Sequence, residues 1–295
     1  MPRPLRFGIS VVPYAAEFDG IVEQVRAAEE GGLDLVGIQD HPYQRRFLDT
    51  YTLIANLLAR TDRLRFFPDV TSLAMRDPPM IAKAAASMDV MSGGRFELGL
   101  GAGNFWDAVA GMGRPKRTNR EAFAALEEAI PIIRAALDVG PEKRVVRGPG
   151  PFFPVSGYPA GPPPAHRIGI WLGVYRPRGL NLAGRLADGW IPSLGYASFE
   201  ELKRASDVID EAAIAAGRDP DEISRLLNFN GVIGGGELGE IPLAGPTDHW
   251  VARLSAWATE VGIDSFILYA ADGSADQVRR FAAEVAPAVR EQVGR

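Results

Sequence analysis

With 295 residues, 46% hydrophobic and 23% charged, the sequence has an ordinary soluble globular composition, long enough for one large domain or two small ones. A formal net charge of −5 gives no electrostatic case for a nucleic-acid partner, and no apolar run approaches the ~20 residues of a membrane span. Zero cysteines exclude disulfides, thiolate metal sites and a cysteine nucleophile.

The opening MPRPLRFGISVV has too short an apolar core for a signal peptide, so a cytoplasmic chain is expected. Arg6 to Val12 reads as a strand. A helix from Asp19 to Glu30 follows, with Ile21, Val22, Val25 and Ala28 at helical spacing and Gly31-Gly32 as its stop. Leu33 to Gln39 is a second strand ending at Asp40-His41-Pro42. Asp49 to Arg60 is helical, and Leu64 to Val70 is the third strand. Asp77-Pro78 offers an N-cap and a first-turn proline to a helix with Ile81, Ala85 and Met88 inward. Phe96 to Leu100, between Gly93-Gly94 and Gly101-Ala102-Gly103, is the fourth strand.

The pattern then repeats. Thr118-x-x-Glu121 is a capping box for a helix carrying Phe123, Leu126, Ile130, Ile133 and Leu137, which Pro131 is expected to kink or shorten. Ile168 to Leu172 is strand five, Pro177 to Leu186 a short helix and Gly189 to Pro192 strand six. Ser198-x-x-Glu201 caps a helix to about Ala216. Leu226 to Ile233 is strand seven, Thr247 to Val261 a helix, Ser265 to Tyr269 strand eight, and Ser274-x-x-Gln277 caps the last helix. Eight strand–helix pairs with continuous apolar strands predict a closed (β/α)₈ TIM barrel, residues 1–295 forming a single domain, with an open doubly wound sheet as the alternative. Three stretches break the rhythm: Ala102 to Arg117 after strand four, proline-rich Asp138 to His166 after helix four, and glycine-rich Gly234 to Gly245 after strand seven. The second reads as a surface excursion at the far end of the barrel, the third as a loop able to act as a lid.

In such a barrel the site forms at the C-terminal strand ends. These read Asp40-His41, Val70-Thr71-Ser72, Gly101 to Asn104, Gly173 to Arg178 and Pro192-Ser193. His41, titrating near neutrality beside a carboxylate, is the candidate catalytic residue, against the plainer reading of a structural histidine bonded to Asp40 or backbone. The glycines after strand four would let a flat ligand approach bare backbone, or else only make a tight turn. Gly173-Val174-Tyr175-Arg176-Pro177-Arg178 joins a strand to a helix start and is the candidate anion site, since free N–H groups and two arginines meet there. Glu97, inside strand four, needs a partner such as Arg95 or Arg76, and Asp89 is expected to face outward. His166 lies at the wrong end of the barrel, and none of the three histidines sits in a metal-binding pattern.

Asp77-Pro78, Ser92-Gly93-Gly94-Arg95-Phe96, Gly99-Leu100-Gly101-Ala102-Gly103, Ala187-Asp188-Gly189-Trp190 and Arg280 to Pro287 resemble the bacterial-luciferase-like family of flavin- or deazaflavin-dependent oxidoreductases. The resemblance implies a barrel, usually dimeric, that binds FMN or the deazaflavin coenzyme F420 with its phosphate near strands five and six, where Gly189 and Trp190 lie. It implies a bulge and a non-prolyl cis peptide at Asp69-Val70, with Thr71 just beyond. An Asp40-His41 pair is similar to the deazaflavin-using branch, where the histidine serves near hydride transfer, as an imidazolium able to donate a proton or to stabilise developing negative charge. Asn104 stands where some members carry an acid, so a cofactor- or substrate-orienting role is expected there instead. The function expected is F420-dependent hydride transfer to or from a small organic substrate. The alternatives are an FMN-dependent monooxygenase and a non-catalytic flavin-binding protein on the same fold, and a homodimer is expected.

Overall fold

The computed structural model describes residues 3–140, 145–234 and 243–294. The chain lays down β1 (Arg6–Val11), α1 (Phe18–Glu30), β2 (Leu35–Ile38), α2 (Thr50–Leu58) and β3 (Arg65–Pro68), continued after a break by β4 (Thr71–Ser72). Then come α3 (Pro78–Ser92), β5 (Leu98–Gly101), short α4 (Trp106–Gly111), long α5 (Asn119–Leu137) and an antiparallel hairpin of β6 (Val145–Gly148) and β7 (Val155–Pro159). The second half holds β8 (Ile170–Leu172), α6 (Pro177–Leu186), β9 (Gly189–Trp190), α7 (Phe199–Ala215), β10 (Ser224–Ile233), β11 (Leu243–Gly245), α8 (Thr247–Ala256), β12 (Ser265–Ala270), α9 (Ala275–Arg280) and α10 (Ala286–Val293).

The staves pair in parallel, and β12 joins β10 to β1. The ring closes where Phe66 bridges Phe96 and β4 pairs with β5. With β3 and β4 counted as one interrupted stave, the result is an α/β TIM barrel. Alternate residues point inward. Leu35, Phe67, Trp171, Ile191, Leu226 and Ile267 form a dry plug inside the ring, while the outward faces of the staves, with Phe7, Ile9, Val36, Phe66 and Leu98, bury against the helices. Ser10, Asp69, Asn228 and Tyr269 sit one layer above the plug, so the barrel is apolar in its middle and polar at its C-terminal mouth.

The capping boxes at Thr118/Glu121 and Ser198/Glu201 form as their spacing predicts. Asp77 heads α3, but its carboxylate makes no cap bond. Pro79 has no N–H to offer, Met80 and Ile81 already donate to the Asp77 carbonyl, and the carboxylate pairs with Arg114 instead. Pro131 does not shorten α5, which runs unbroken to Leu137. Pro131 is exposed, so the carbonyl it leaves without a partner lies on the solvent side. The Gly234 to Gly245 loop falls largely outside the described residues.

The excursion after α5 is tied down rather than loose. Phe152 and Phe153 N–H groups donate to Glu128 on α5. At the N-terminal end of the barrel, His166 lies between two carboxylates, Nδ1 at 2.7 Å from Asp89 and Nε2 at 3.1 Å from Glu97. Asp89 is therefore buried, not outward-facing. Glu97 takes its partners from His166, Arg65 at 3.0 Å and the Gly169 N–H at 2.7 Å, rather than from Arg95 or Arg76. These partners are fixed by which strands are neighbours, which spacing along the chain does not reveal. The hydrogen bonds to Asp89 and then Glu97 push His166 up to about 9.

Candidate active site at the barrel mouth

The break between β3 and β4 sets the shape of the mouth. The Asp69-Val70 peptide is cis, and the bulge drives Val70 across the ends of the neighbouring staves. A Cβ on Gly99 would lie 2.1 Å from the Pro68 carbonyl oxygen and 3.2 Å from Val70 Cγ1; one on Gly101 would lie 2.8 Å from Val70 Cγ2, and one on Gly173 3.1 Å from it. The glycines of Gly99-Leu100-Gly101 thus clear space for the bulge. This corrects the expectation that Gly101 is bare so that a ligand can approach it: the side chain of Val70 fills that space. Gly103, at φ +97°, turns the chain beside Ala74.

Above the bulge a cavity of about 410 Å³ opens, walled by Gln39, Asp69, Val70, Gly173, Tyr175, Ser193, Asn228, Asn230 and Tyr269 among others. The Asp69 carboxylate receives Ser10 Oγ–H at 2.9 Å, Asn228 Nδ2–H at 2.9 Å and Tyr269 O–H at 3.1 Å, from three different staves. Burial pushes the Asp69 carboxyl up, partly opposed by those hydrogen bonds. Burial also holds the Tyr269 phenol well above its ordinary value. A flat ring with polar edges suits this wall of amides, phenols and one carboxyl around an apolar floor.

A second cavity of about 790 Å³ adjoins it along Gly173 to Arg178 and extends to α5 and α7. Arg176 is the N-cap of α6 and Pro177 its first residue; no side chain caps that end, so first-turn N–H groups remain available there. The loop is held from behind. Trp190 Nε1–H donates to the Val174 carbonyl at 2.8 Å, and Ser193 N–H donates to the Tyr175 hydroxyl at 2.9 Å. Asp188 accepts from Arg134, from Arg167 at 2.8 Å and from the Ile170 N–H at 2.9 Å. Trp190 and the Ser193 amide thereby hold the loop, while Asp188 ties down the opposite end of the same staves. Arg178 lies over the Phe123 ring, 4.6 Å from its centroid.

His41 stands outside both cavity walls, among aromatic rings. Its Nδ1 is 2.7 Å from the Tyr43 hydroxyl, and the Phe105 ring lies edge-on at 5.7 Å. Asp40 does not bond it. Asp40 accepts from the Ser72 N–H at 3.0 Å and from Arg76 at 3.1 and 3.3 Å, and Arg76 also reaches Asp49 at 2.6 Å. Burial lowers His41 below its usual 6.5, and the Asp40 charge offsets this only in part. Desolvation outweighs the neighbouring carboxylate, so the environment favours the neutral imidazole over the imidazolium. Tyr43 is pushed up to about 12, chiefly by burial, and keeps its proton.

Of the residues singled out from sequence, Asp69, Val70, Gly173 and Tyr175 line the smaller cavity, and Ala102, Gly103, Gly173, Val174, Tyr175, Arg176, Arg178 and Trp190 the larger. Asp40, His41, Thr71, Gly101, Asn104 and Gly189 line neither. Thr71 Oγ1 pairs with Tyr51 OH at 2.9 Å, Gly189 packs on Trp171, and Asn104 Oδ1 accepts from the Phe105 N–H at 2.8 Å. Sequence reading missed Gln39, Asn228, Asn230 and Tyr269. The signal available was a polar residue at alternate positions of an otherwise apolar strand, as in Asn228 and Asn230.

Residues 5–234 match the family model described as luciferase-like monooxygenase. The chain belongs to that family. Among curated relatives of this luciferase-like chain is the F420-dependent glucose-6-phosphate dehydrogenase of Kribbella flavida. It is 30% identical over 213 residues, which span 70% of this chain and 63% of that protein, so under two thirds of the relative is covered. A solved F420-dependent secondary alcohol dehydrogenase, in complex with an F420–acetone adduct, superposes with a TM-score of 0.85 over 98% of this chain and 100% of that one, at 19% identity. A riboflavin lyase with a modified FMN and riboflavin gives a TM-score of 0.83 over 98% and 92%, at 16% identity. At these identities the two structures show a common fold. Among the described residues no helix is long and apolar enough to cross a membrane.

Proposed function

We propose that this luciferase-like protein is an F420-dependent oxidoreductase that exchanges hydride with a small organic substrate, most directly by oxidising an alcohol. The observation that carries the direction is the half-buried His41, its Nδ1 2.7 Å from the Tyr43 hydroxyl, in a setting where burial favours the neutral ring. A neutral imidazole accepts a proton, as loss of hydride from a carbinol carbon requires. The F420-dependent relatives named above support the choice of coenzyme.

The residues fit a deazaflavin. The smaller cavity offers a polar-edged slot over the Val70 bulge, and the adjoining loop offers arginines and an uncapped helix start for a phosphate. When bound, the deazaflavin supplies the two-electron hydride acceptor or donor. The chain supplies the rest. Val70 and Gly173 would cover one face of the ring, Asp69 with Asn228 and Tyr269 would meet its polar edge, and Arg176, Arg178 and the α6 amides would hold its phosphate. Trp190 keeps that loop in place through Val174. Phe105 and Tyr43 pack against His41, and Arg76 pairs with Asp40, whose charge offsets the effect of burial on His41 only in part. Asn104, with its carbonyl oxygen turned to backbone, is assigned to orienting substrate. We carry the chain as one catalytic domain acting as a homodimer, supported by the exposed Met80, Val90 and Met91 along α3.

The test is anaerobic bleaching of oxidised F420 by a panel of primary and secondary alcohols with purified protein, alongside oxygen uptake with reduced FMN. Alcohol-dependent bleaching that is lost in His41→Asn supports the reading. Oxygen uptake without bleaching supports the FMN monooxygenase, which the FMN-bound structural neighbour keeps as the second reading.

A further inference from the structure

We propose that the arginine pocket between α5, α6 and α7 reads anionic groups beyond a single phosphate, and so selects a cofactor with a polyanionic tail. This rests on the cofactor reading above and deepens it. Arg120 is the second residue of α5, Arg176 and Arg178 stand at the head of α6, and Arg204 lies on α7; all four line the cavity of about 790 Å³. Among the described residues none of the four makes an ion pair. Elsewhere in the chain Arg76, Arg134 and Arg225 are each matched to a carboxylate.

The one carboxylate in the pocket wall is Glu201, held below the usual carboxylate range by its Ser198 hydrogen bonds and then by the Arg204 charge, and committed to the α7 cap. It accepts the Ser198 N–H at 2.8 Å and the Ser198 hydroxyl at 2.9 Å as part of the α7 cap. Four exposed arginines thus line one cavity, none of them ion-paired among the described residues, a concentration of positive charge suited to a ligand that brings several negative ones. The helix starts divide the work. α5 and α7 close their own first turns with capping boxes, and α6 does not. The open N–H groups at α6 suit one compact phosphate. Arg120 and Arg204 stand on the helices flanking it and are surplus to that phosphate. FMN ends in one phosphate monoester, which the α6 end and its two arginines satisfy. The deazaflavin coenzyme continues past its phosphodiester into a chain of carboxylates, and spaced arginines are what such a chain requires.

The experiment is equilibrium fluorescence titration of the purified protein with three probes: the deazaflavin riboside without phosphate or tail, F420 with two glutamates, and F420 with six. It is run at low and high salt on wild type, on Arg120→Gln/Arg204→Gln, and on Lys203→Gln, a charge change on α7 outside the pocket wall. Wild type is expected to bind the six-glutamate form about fivefold or more tighter than the two-glutamate form at low salt, since each exposed ion pair is worth about two- to fivefold. High salt should shrink that ratio. The double variant should lose it while binding the riboside as wild type does, and Lys203→Gln should keep it. Equal affinity for both tail lengths in wild type, or an undiminished ratio in the double variant, overturns this inference and leaves the F420 assignment intact. If none of the three probes binds, the cofactor reading fails and this inference falls with it.

Discussion

Replacing His166 by glutamine tests the charge arithmetic of the fold at a place remote from the proposed chemistry. His166 bridges Asp89 on α3 to Glu97 at the start of β5, and so pins the excursion after α5 to the bottom of the barrel. Its folded-state value is about 9, against 6.5 for an unperturbed histidine. Between those values the folded protein holds a proton that the unfolded chain has released. The resulting stabilisation is fully present below pH 6.5 and is lost as pH rises through about 9. At full effect the difference corresponds to about 3 kcal/mol. The His166 side chain is 25% exposed, and solvent screening brings the expectation to about 2 kcal/mol. Urea unfolding followed by tryptophan fluorescence, at about pH 6 and about pH 10, measures it. The variant should be less stable than wild type by at least that amount at the lower pH, and the gap should narrow by about 2 kcal/mol at the higher. A gap of equal size at both pH values would refute the reasoning, because it would mean that His166 acts as a neutral packing residue.

Other outcomes follow from the mouth of the barrel. Alcohol oxidation should show an acid limb with an apparent pKa below 6.5, because burial lowers His41, and a plateau through neutrality; His41→Asn should remove the limb and reduce kcat about 10²- to 10⁴-fold. An unchanged pH profile in that variant would withdraw His41 as the base. Gly99→Ala should cost about 1–3 kcal/mol or more, since its Cβ would sit 2.1 Å from the Pro68 carbonyl oxygen; wild-type unfolding in this variant would contradict the account of the bulge. Trp190→Phe keeps the ring and deletes the N–H that holds Val174. It should weaken cofactor binding about threefold to tenfold, the worth of one buried hydrogen bond, with the fold retained by circular dichroism.

The alternation of strands and helices was legible because buried parallel staves are unbroken apolar runs, and helix starts such as Thr118-x-x-Glu121 carry their own local chemistry. What was illegible depends on closure of the ring. Gly101 looks like a ligand-facing glycine until Val70 is seen to come across from the next stave. Asn228 and Tyr269 lie within apolar stretches, and only the inward half of the alternation, together with the Asp69 carboxylate from another stave, makes them part of a site. The Asp89–His166 pair joins residues 77 apart in the chain, so no spacing rule reaches it. At His41 the sequence shows a group titrating near neutrality beside Asp40. Arg76, brought in from beyond β4, claims that carboxylate, and burial decides the sign.

On the proposed function the cavities at the mouth take up a deazaflavin. That uptake is tested most directly by equilibrium titration of the purified protein with oxidised F420 and with FMN, side by side, following fluorescence. Saturable binding of F420, with FMN weaker by tenfold or more, is the predicted result. Preference for FMN, or binding of neither, would contradict it.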